Sequence, residues 1–175
     1  MPTSRVWTIG HSTRTADEFI SLLRPQEIDR LADIRTIPQS RRHPHFGRDA
    51  LSARLAAEGV QYRHFKDLGG LRKPRADSVN GAWKNQAFRG YADHMETAEF
   101  AASIDEFLAF GAGGKVAVMC AEAVWWRCHR RIIADYLIAA GETVFHILGR
   151  DHIDMAQITR AAKRRPDGVL VYQAV

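Results

Sequence analysis

The chain has 175 residues, 46% of them hydrophobic and 26% charged, with 13 glycines and 6 prolines. That is enough for one domain, residues 1–175, with a continuous core, and it excludes collagen-like, low-complexity and largely disordered classes. Twenty-five Lys and Arg against 20 Asp and Glu give a net charge of +5. No apolar run reaches the ~18 residues of a membrane span and no signal-peptide core follows Met1, so a cytoplasmic location without membrane association is expected.

Short apolar runs alternate with amphipathic stretches, which predicts an α/β domain in three layers. Its sheet should be mainly parallel, of about five strands, with helices on both faces. Val6 to Ile9 is the first strand. Thr15 with Glu18 three places on forms a capping box, and Phe19, Ile20 and Leu23 give the following helix its apolar face before Pro25. Ile28 to Ile34 is the second strand, and the polar loop Thr36 to Gly47 comes after it. Asp49 is expected to cap a helix through Leu51 and Leu55 that stops at Gly59. Val60 to Phe65 alternates as a third strand and ends near Leu68-Gly69-Gly70. Leu71 to Gln86 has no period and reads as a long loop, a kind that is usually functional or mobile.

A helical region runs from about Phe88 through Phe100, Ile104, Phe107 and Leu108 to Gly111. Lys115 to Cys120 is apolar enough for a central strand covered on both faces. A helix over Arg127 to Ala140 and a fifth strand over Thr143 to Leu148 follow. The tail Ile153 to Ala162 is expected to be a further helix, leading through a Pro-Asp-Gly turn to a short final strand, Val169 to Tyr172, that can run antiparallel.

Charge is uneven. Between Arg35 and Arg75 ten basic residues face three acids, a local balance of +7 that leaves −2 for the rest of the chain. Such a cluster draws anionic ligands, either phosphorylated small molecules or nucleic acid, and its bland alternative is a solvated basic surface.

In open α/β sheets ligands bind beyond the carboxyl ends of the strands. The residues following the strands here are Gly10-His11-Ser12, then Arg35 with Ser40 to Phe46, then Asp67 to Arg72, then Cys120-Ala121-Glu122 and Trp125 to Arg130. Cys120, at the end of a central strand facing a helix start, is a nucleophile candidate, with packing as a small buried hydrophobe the alternative. Phosphatase and rhodanese loops share the order strand, Cys, loop, Arg, helix, but they set five residues between Cys and Arg. Here there are six, including Glu122, and a carboxylate would repel an anion in such a cradle. Glu122 suits general acid or base work, or a buried ion pair with Arg35 or Arg130.

His129, at a helix N-terminus, should be neutral and suited to hydrogen bonding or a general-base role, while Cys128 is expected in the core. His11, Cys120, Cys128 and His129 match no zinc spacing, so no metal is expected. No cofactor signature is present either. Trp125 and Trp126 are adjacent, so one of them should line a cleft or interface.

Thr8-Ile9-Gly10-His11-Ser12, Asp33-Ile34-Arg35, Pro38 with Ser40-Arg41, Phe46, Leu68-Gly69-Gly70, Phe88-Arg89-Gly90-Tyr91 and Met119-Cys120-Ala121-Glu122 leading to Cys128-His129-Arg130 resemble the bacterial domain-of-unknown-function 488 family over about residues 5 to 150. The resemblance supports the fold and the site placement and implies no reaction or cofactor. The leading expectation is an enzyme, a hydrolase or transferase, for an anionic, nucleotide-like or phosphorylated ligand. Arg35, Arg41 and Arg130 would clamp the anion, Glu122 with His129 or His11 would handle protons, and Cys120 would be nucleophile or wall. Further ligand contacts are expected at Ser12, Ser40, Gly69, Gly70, Arg72, Tyr91 and Trp126. The alternatives are a nucleic-acid-binding module in repair or modification that uses the Arg35 to Arg75 surface, and a regulatory interaction domain. The oligomeric state is not legible.

Overall fold

A computed structural model describes residues 4–175. In chain order the elements are β1 (Arg5–Gly10), α1 (Ala16–Leu23), β2 (Arg30–Asp33), α2 (Arg48–Ala57), β3 (Gln61–His64), α3 (Gln86–His94), α4 (Ala98–Gly111), β4 (Val116–Cys120), α5 (Arg130–Ala139), β5 (Thr143–Gly149), β6 (His152–Met155), β7 (Lys163–Arg164) and β8 (Leu170–Val171). Six strands form one sheet in the order β3-β2-β4-β1-β5-β6. Strands β1 to β5 are parallel and β6 is antiparallel to β5, while β7 and β8 pair separately as an antiparallel ribbon.

The expected three-layer architecture is present. Every residue of β4 is buried, because helices cover both faces of the central strands. One core joins Phe19, Ile20 and Leu23 of α1 and Leu51 and Leu55 of α2 to Trp7, Ile9, Leu31, Ala117 and Met119. The other joins Phe100, Ile104 and Phe107 of α4 and Ile132, Ile133 and Leu137 of α5 to Val6, Ala32, Val116, Val118 and Val144. The connections after β1 and β2 therefore run over one face and those after β3 and β4 over the other. The chain leaving β4 turns away from the chains leaving both of its neighbours, β1 and β2, and a crevice opens at Cys120.

Local signals explain most of the boundaries. Thr15 and Glu18 make the expected reciprocal capping box at α1. The expected helix from Phe88 is two helices, because Thr97 Oγ1 accepts the Phe100 N–H and starts α4 anew. Asp49 does not cap α2. Gly47 holds that position without a side-chain bond, and Asp49 lies in the first turn, where its negative charge interacts favourably with the helix dipole. The helix expected from Arg127 starts at Arg130, after a 3-10 turn over Trp125–Arg127.

The tail contains no helix at 153–162. His152–Met155 instead adds β6 to the free edge of β5, where Ile153 packs toward the core around Ile147. Edge pairing and burial of a β-branched side chain outweigh a weak helical period. Beyond β6 the tail is tied to α5, since Asp135 accepts from Thr159 N–H and from Tyr172 OH, each at 2.7 Å.

The long stretch from Leu71 to Asn85 is irregular, as expected, but it is not loose. Buried Asp93 on α3 accepts from Arg75 N–H (2.8 Å), Ser78 Oγ (2.6 Å) and Asn80 Nδ2 (2.7 Å). One carboxylate thereby satisfies three donors of a segment that has no ladder of its own. No helix of the described residues is long and apolar enough to cross a membrane.

Candidate functional site

Two clefts meet at the carboxyl end of β4, separated by Ala121 and Glu122, which line both. The first encloses about 350 Å³ and is mostly apolar, with Ile37, Leu71, Ala87 and Phe88 around Cys120, Cys128 and His129. The second, about 480 Å³, is polar and cationic, with His11, Ser12, Ser40, Arg41, Arg42 and His43. Both volumes lie in the range of small-molecule sites.

The dividing wall rests directly on β1. A Cβ on Gly10 would come within 1.7 Å of the Glu122 carbonyl oxygen, so only glycine fits there. Across the apolar cleft, a Cβ on Gly70 would meet His129 Nδ1 at 2.5 Å. Ser12 takes a left-handed backbone, φ 49°, a conformation that a side-chain-bearing residue holds only under constraint and that recurs at functional sites.

The polar cleft is built on Phe46. This wholly buried ring stacks under His11, with centroids 4.4 Å apart, and meets Phe19 edge-on. Its burial contributes about 1.5–3 kcal/mol and anchors the loop that carries Ser40 to His43. His11 is itself buried, and its Nδ1–H donates to the Ser12 carbonyl at 2.9 Å. Burial, with Arg35 nearby, lowers its pKa to about 4. Neutral His11 therefore keeps an Nε2 lone pair, and that atom has no partner.

Arg35 is held by Asp33, which accepts from its Nε (2.9 Å) and Nη2 (2.7 Å) and also from Tyr62 OH. Burial works against the charge on Arg35, but Asp33 more than compensates and its pKa is raised. The remaining nitrogen, Nη1, is buried and unpartnered.

The floor of the apolar cleft is a pair of thiols. Cys120 Sγ and Cys128 Sγ lie 2.7 Å apart. Cys128 Sγ also accepts the Arg130 N–H at 3.5 Å and lies 3.4 Å from His129 Nδ1. His129 Nε2–H donates to the Ile34 carbonyl at 3.1 Å, which leaves Nδ1 as an acceptor facing the thiol. Burial pushes the Cys120 thiol well above its usual range. Burial also opposes charge on Cys128, but hydrogen bonding from Cys120 and the Arg130 guanidinium prevail and lower it to about 7. Cys128 is therefore the more acidic thiol of the pair, and it is buried in the core as expected.

The loop after Cys120 does not form a phosphate cradle. The Glu122 and Ala123 carbonyls turn inward and accept from Arg130 Nη2, at 2.7 and 3.4 Å. Inward carbonyl oxygens repel anions where inward N–H groups would bind them.

The sequence-predicted residues divide accordingly. Cys120, Glu122, His129, Arg35 and Gly70 share the apolar cleft, and His11, Ser12, Ser40 and Arg41 share the polar one. Glu122 is exposed, with its carboxylate accepting the Ala123 N–H, and makes no ion pair with Arg35 or Arg130.

Five expected contacts lie elsewhere. Arg130 is fully buried, with its guanidinium on Thr8 Oγ1 and on backbone carbonyls, because residues before the α5 core face turn it toward β1 and not toward the crevice. Tyr91 is also fully buried, its OH donating to the Leu68 carbonyl. Gly69 is packed against Thr36. Arg72 folds back onto the Gly69 carbonyl and borders a separate groove with Lys73 and His94. Trp126 is exposed and lines neither cleft, whereas Trp125 stacks on His146 at 4.6 Å. Arg127 and Cys128, at the expected strand end but not among the expected catalytic or ligand contacts, also line the apolar cleft. Among the described residues no group of three or more His, Cys, Asp or Glu is placed to hold a metal ion.

No curated protein and no solved structure matches the chain. Residues 15–137 match the family model described as Domain of unknown function DUF488. That span begins just after His11 and Ser12 and runs from the start of α1 into α5, so it takes in both thiols, Glu122, Arg35 and the loop from Ser40 to His43. A match over this much of the fold places the chain in the DUF488 family.

Proposed function

We propose that the protein is an enzyme for a small anionic ligand, nucleotide-like or phosphorylated, that lies across both clefts. The anionic group sits among Ser12, Ser40, Arg41 and Arg42, and the apolar body lies against Ile37, Leu71 and Phe88. The observation that carries this reading is the shared wall at Ala121 and Glu122, which joins a cationic lobe to an apolar one. The unpartnered Arg35 Nη1 and His11 Nε2 add one donor and one acceptor whose burial is costly until something binds them.

The reaction class is hydrolysis or group transfer. Cys128 is the nucleophile, His129 Nδ1 receives its proton, and the exposed Glu122 carboxylate accepts a proton from a ligand hydroxyl or an attacking water. Four of the ten basic residues between Arg35 and Arg75 are already paired with acids: Arg35 with Asp33, Arg54 with Asp17 and Glu58, Arg63 with Glu106, and Arg75 with Glu96. This fragments the basic surface and favours a compact anion over a nucleic-acid backbone.

Thermal denaturation tests the reading with inorganic phosphate, a nucleoside, the matching nucleoside monophosphate, and single- and double-stranded oligonucleotides at two salt concentrations. The monophosphate should stabilise more than phosphate or nucleoside alone, by about 2.7 kcal/mol at a hundredfold excess over Kd. The gain should vanish in the Arg41→Ala/Arg42→Ala double variant. Stabilisation by oligonucleotides alone, falling steeply with salt, would replace this reading with the nucleic-acid module, and no shift with any of these compounds would remove it.

A further inference from the structure

We infer that Cys120 and Cys128 form a redox-active dithiol, closed to an intramolecular disulfide by a peroxide and reopened by a dithiol. The inference is independent of which ligand the clefts take. The two sulfurs come from different elements, the end of β4 and the turn before α5, with seven residues between them. They are nevertheless 2.7 Å apart, against about 2.05 Å for a disulfide bond. Closing the bond shortens that separation by only about 0.65 Å. Both thiols line the apolar cleft, which gives a small oxidant a route to them.

Arg130 supplies a second, separate argument. Its side chain is wholly buried, yet its hydrogen bonds go to neutral oxygens, namely Thr8 Oγ1 and the Glu122 and Ala123 carbonyls, and Nε has no partner. No carboxylate of the described residues forms a salt bridge with it. A buried cation without a counter-ion is strongly destabilising, and the groups around Arg130 that can carry negative charge are the two thiols. Negative charge on one thiol of the pair would balance Arg130 and leave the other as a thiol beside it, which is the composition of an attacking and a resolving cysteine.

Cys128 is the attacking sulfur. It receives the Arg130 N–H at the α5 N-terminus and faces His129 Nδ1, while Cys120 from β4 and Tyr91 from α3 are the other titratable groups against it. In the first step the Cys128 thiolate attacks a peroxide oxygen, the O–O bond breaks and an S–O bond forms, and the departing hydroxide takes up a proton as water. Cys120 then attacks the sulfenic sulfur. The S–S bond forms, the S–O bond breaks, and the oxygen leaves as water with the Cys120 proton. The two sulfurs lose two electrons and one hydrogen peroxide becomes two waters. A dithiol reverses the oxidation by exchange.

Hydrogen peroxide is the probe, applied to the full chain in its native state near pH 7, followed by denaturation, N-ethylmaleimide and intact mass measurement. Wild type should lose two hydrogens, remain monomeric in mass and take up no maleimide, and dithiothreitol should restore uptake of two. Cys120→Ser should stop at a dimedone-reactive sulfenic acid on Cys128.

Cys128→Ser should oxidise more slowly than Cys120→Ser, because only Cys128 accepts the Arg130 N–H and faces His129 Nδ1, while burial pushes the Cys120 thiol up. Uptake of two maleimides after peroxide, direct passage to sulfinic acid, or faster oxidation of Cys128→Ser than of Cys120→Ser would each overturn the inference. If a variant does not fold, the wild-type mass shift decides the pairing alone.

Discussion

Replacing Asp33 with Asn isolates the interaction that positions Arg35 in the apolar cleft. The substitution keeps the volume and removes the charge, so no cavity complicates the result. In the native protein the Asp33 carboxylate is wholly buried and accepts four hydrogen bonds, from Arg35 N–H, Nε and Nη2 and from Tyr62 OH. The Arg35 side chain is only 5% exposed, so water cannot take over as its partner.

Stranding one member of a buried ion pair costs about 3–5 kcal/mol. For a chain of this size that lowers Tm by roughly 6–20 °C, at about 2–4 °C per kcal/mol. Tyr62→Phe removes a single hydrogen bond from a half-buried ring and should cost only about 1–2 kcal/mol. Urea unfolding of the three proteins, monitored by far-ultraviolet circular dichroism, separates the cases. Asp33→Asn should be the more damaging by a clear margin. A loss under about 1 kcal/mol, or one no larger than that of Tyr62→Phe, would refute the claim that Asp33 holds Arg35 in place.

Two further perturbations probe how the rest of the rim is held. Asp93→Ala removes the acceptor shared by Arg75, Ser78 and Asn80, so amide hydrogen exchange over residues 72–84 should accelerate while exchange in β4 stays unchanged. Equal acceleration in both would mean that Asp93 supports the fold as a whole. Stability should also fall on mild acidification. Burial lowers His11 to about 4 and His146 to about 3, whereas both take up protons below ~6.5 in the unfolded chain, so between those values the unfolded state binds more protons. Each histidine is then expected to cost about 2 kcal/mol between pH 7 and pH 5. A denaturation midpoint that does not move over that interval would contradict the neutral, buried state assigned to them.

Most of the architecture was legible because strong local signals agreed with the tertiary solution. The Thr15–Glu18 box, the uninterrupted apolar run of β4 and the glycines after α2 and α5 each specify a boundary without reference to distant residues. The convergence of His11, Arg35, Cys120, Glu122 and His129 was legible too, since a parallel sheet delivers successive strand ends to one rim.

What escaped depends on how loops fold back. That Cys128 returns to touch Cys120 follows from the 3-10 turn over Trp125–Arg127, which no periodicity announces. The inward turn of Arg130 follows from the same geometry. Residues 152–155 pair with β5 because that edge is free, a fact belonging to the sheet and not to the segment. Asp33 and Arg35 are two apart at a strand end and so project to the same face, a spacing that predicts their ion pair.

The crystal structure of the protein soaked with the stabilising nucleoside monophosphate tests the central claim most directly. The account predicts phosphate density against Ser12, Ser40 and Arg41 and the apolar moiety against Leu71 and Phe88, with the ligand crossing Ala121 and Glu122. Phosphate density in the groove of Arg72 and Lys73, with both clefts at β4 filled only by solvent, would contradict it.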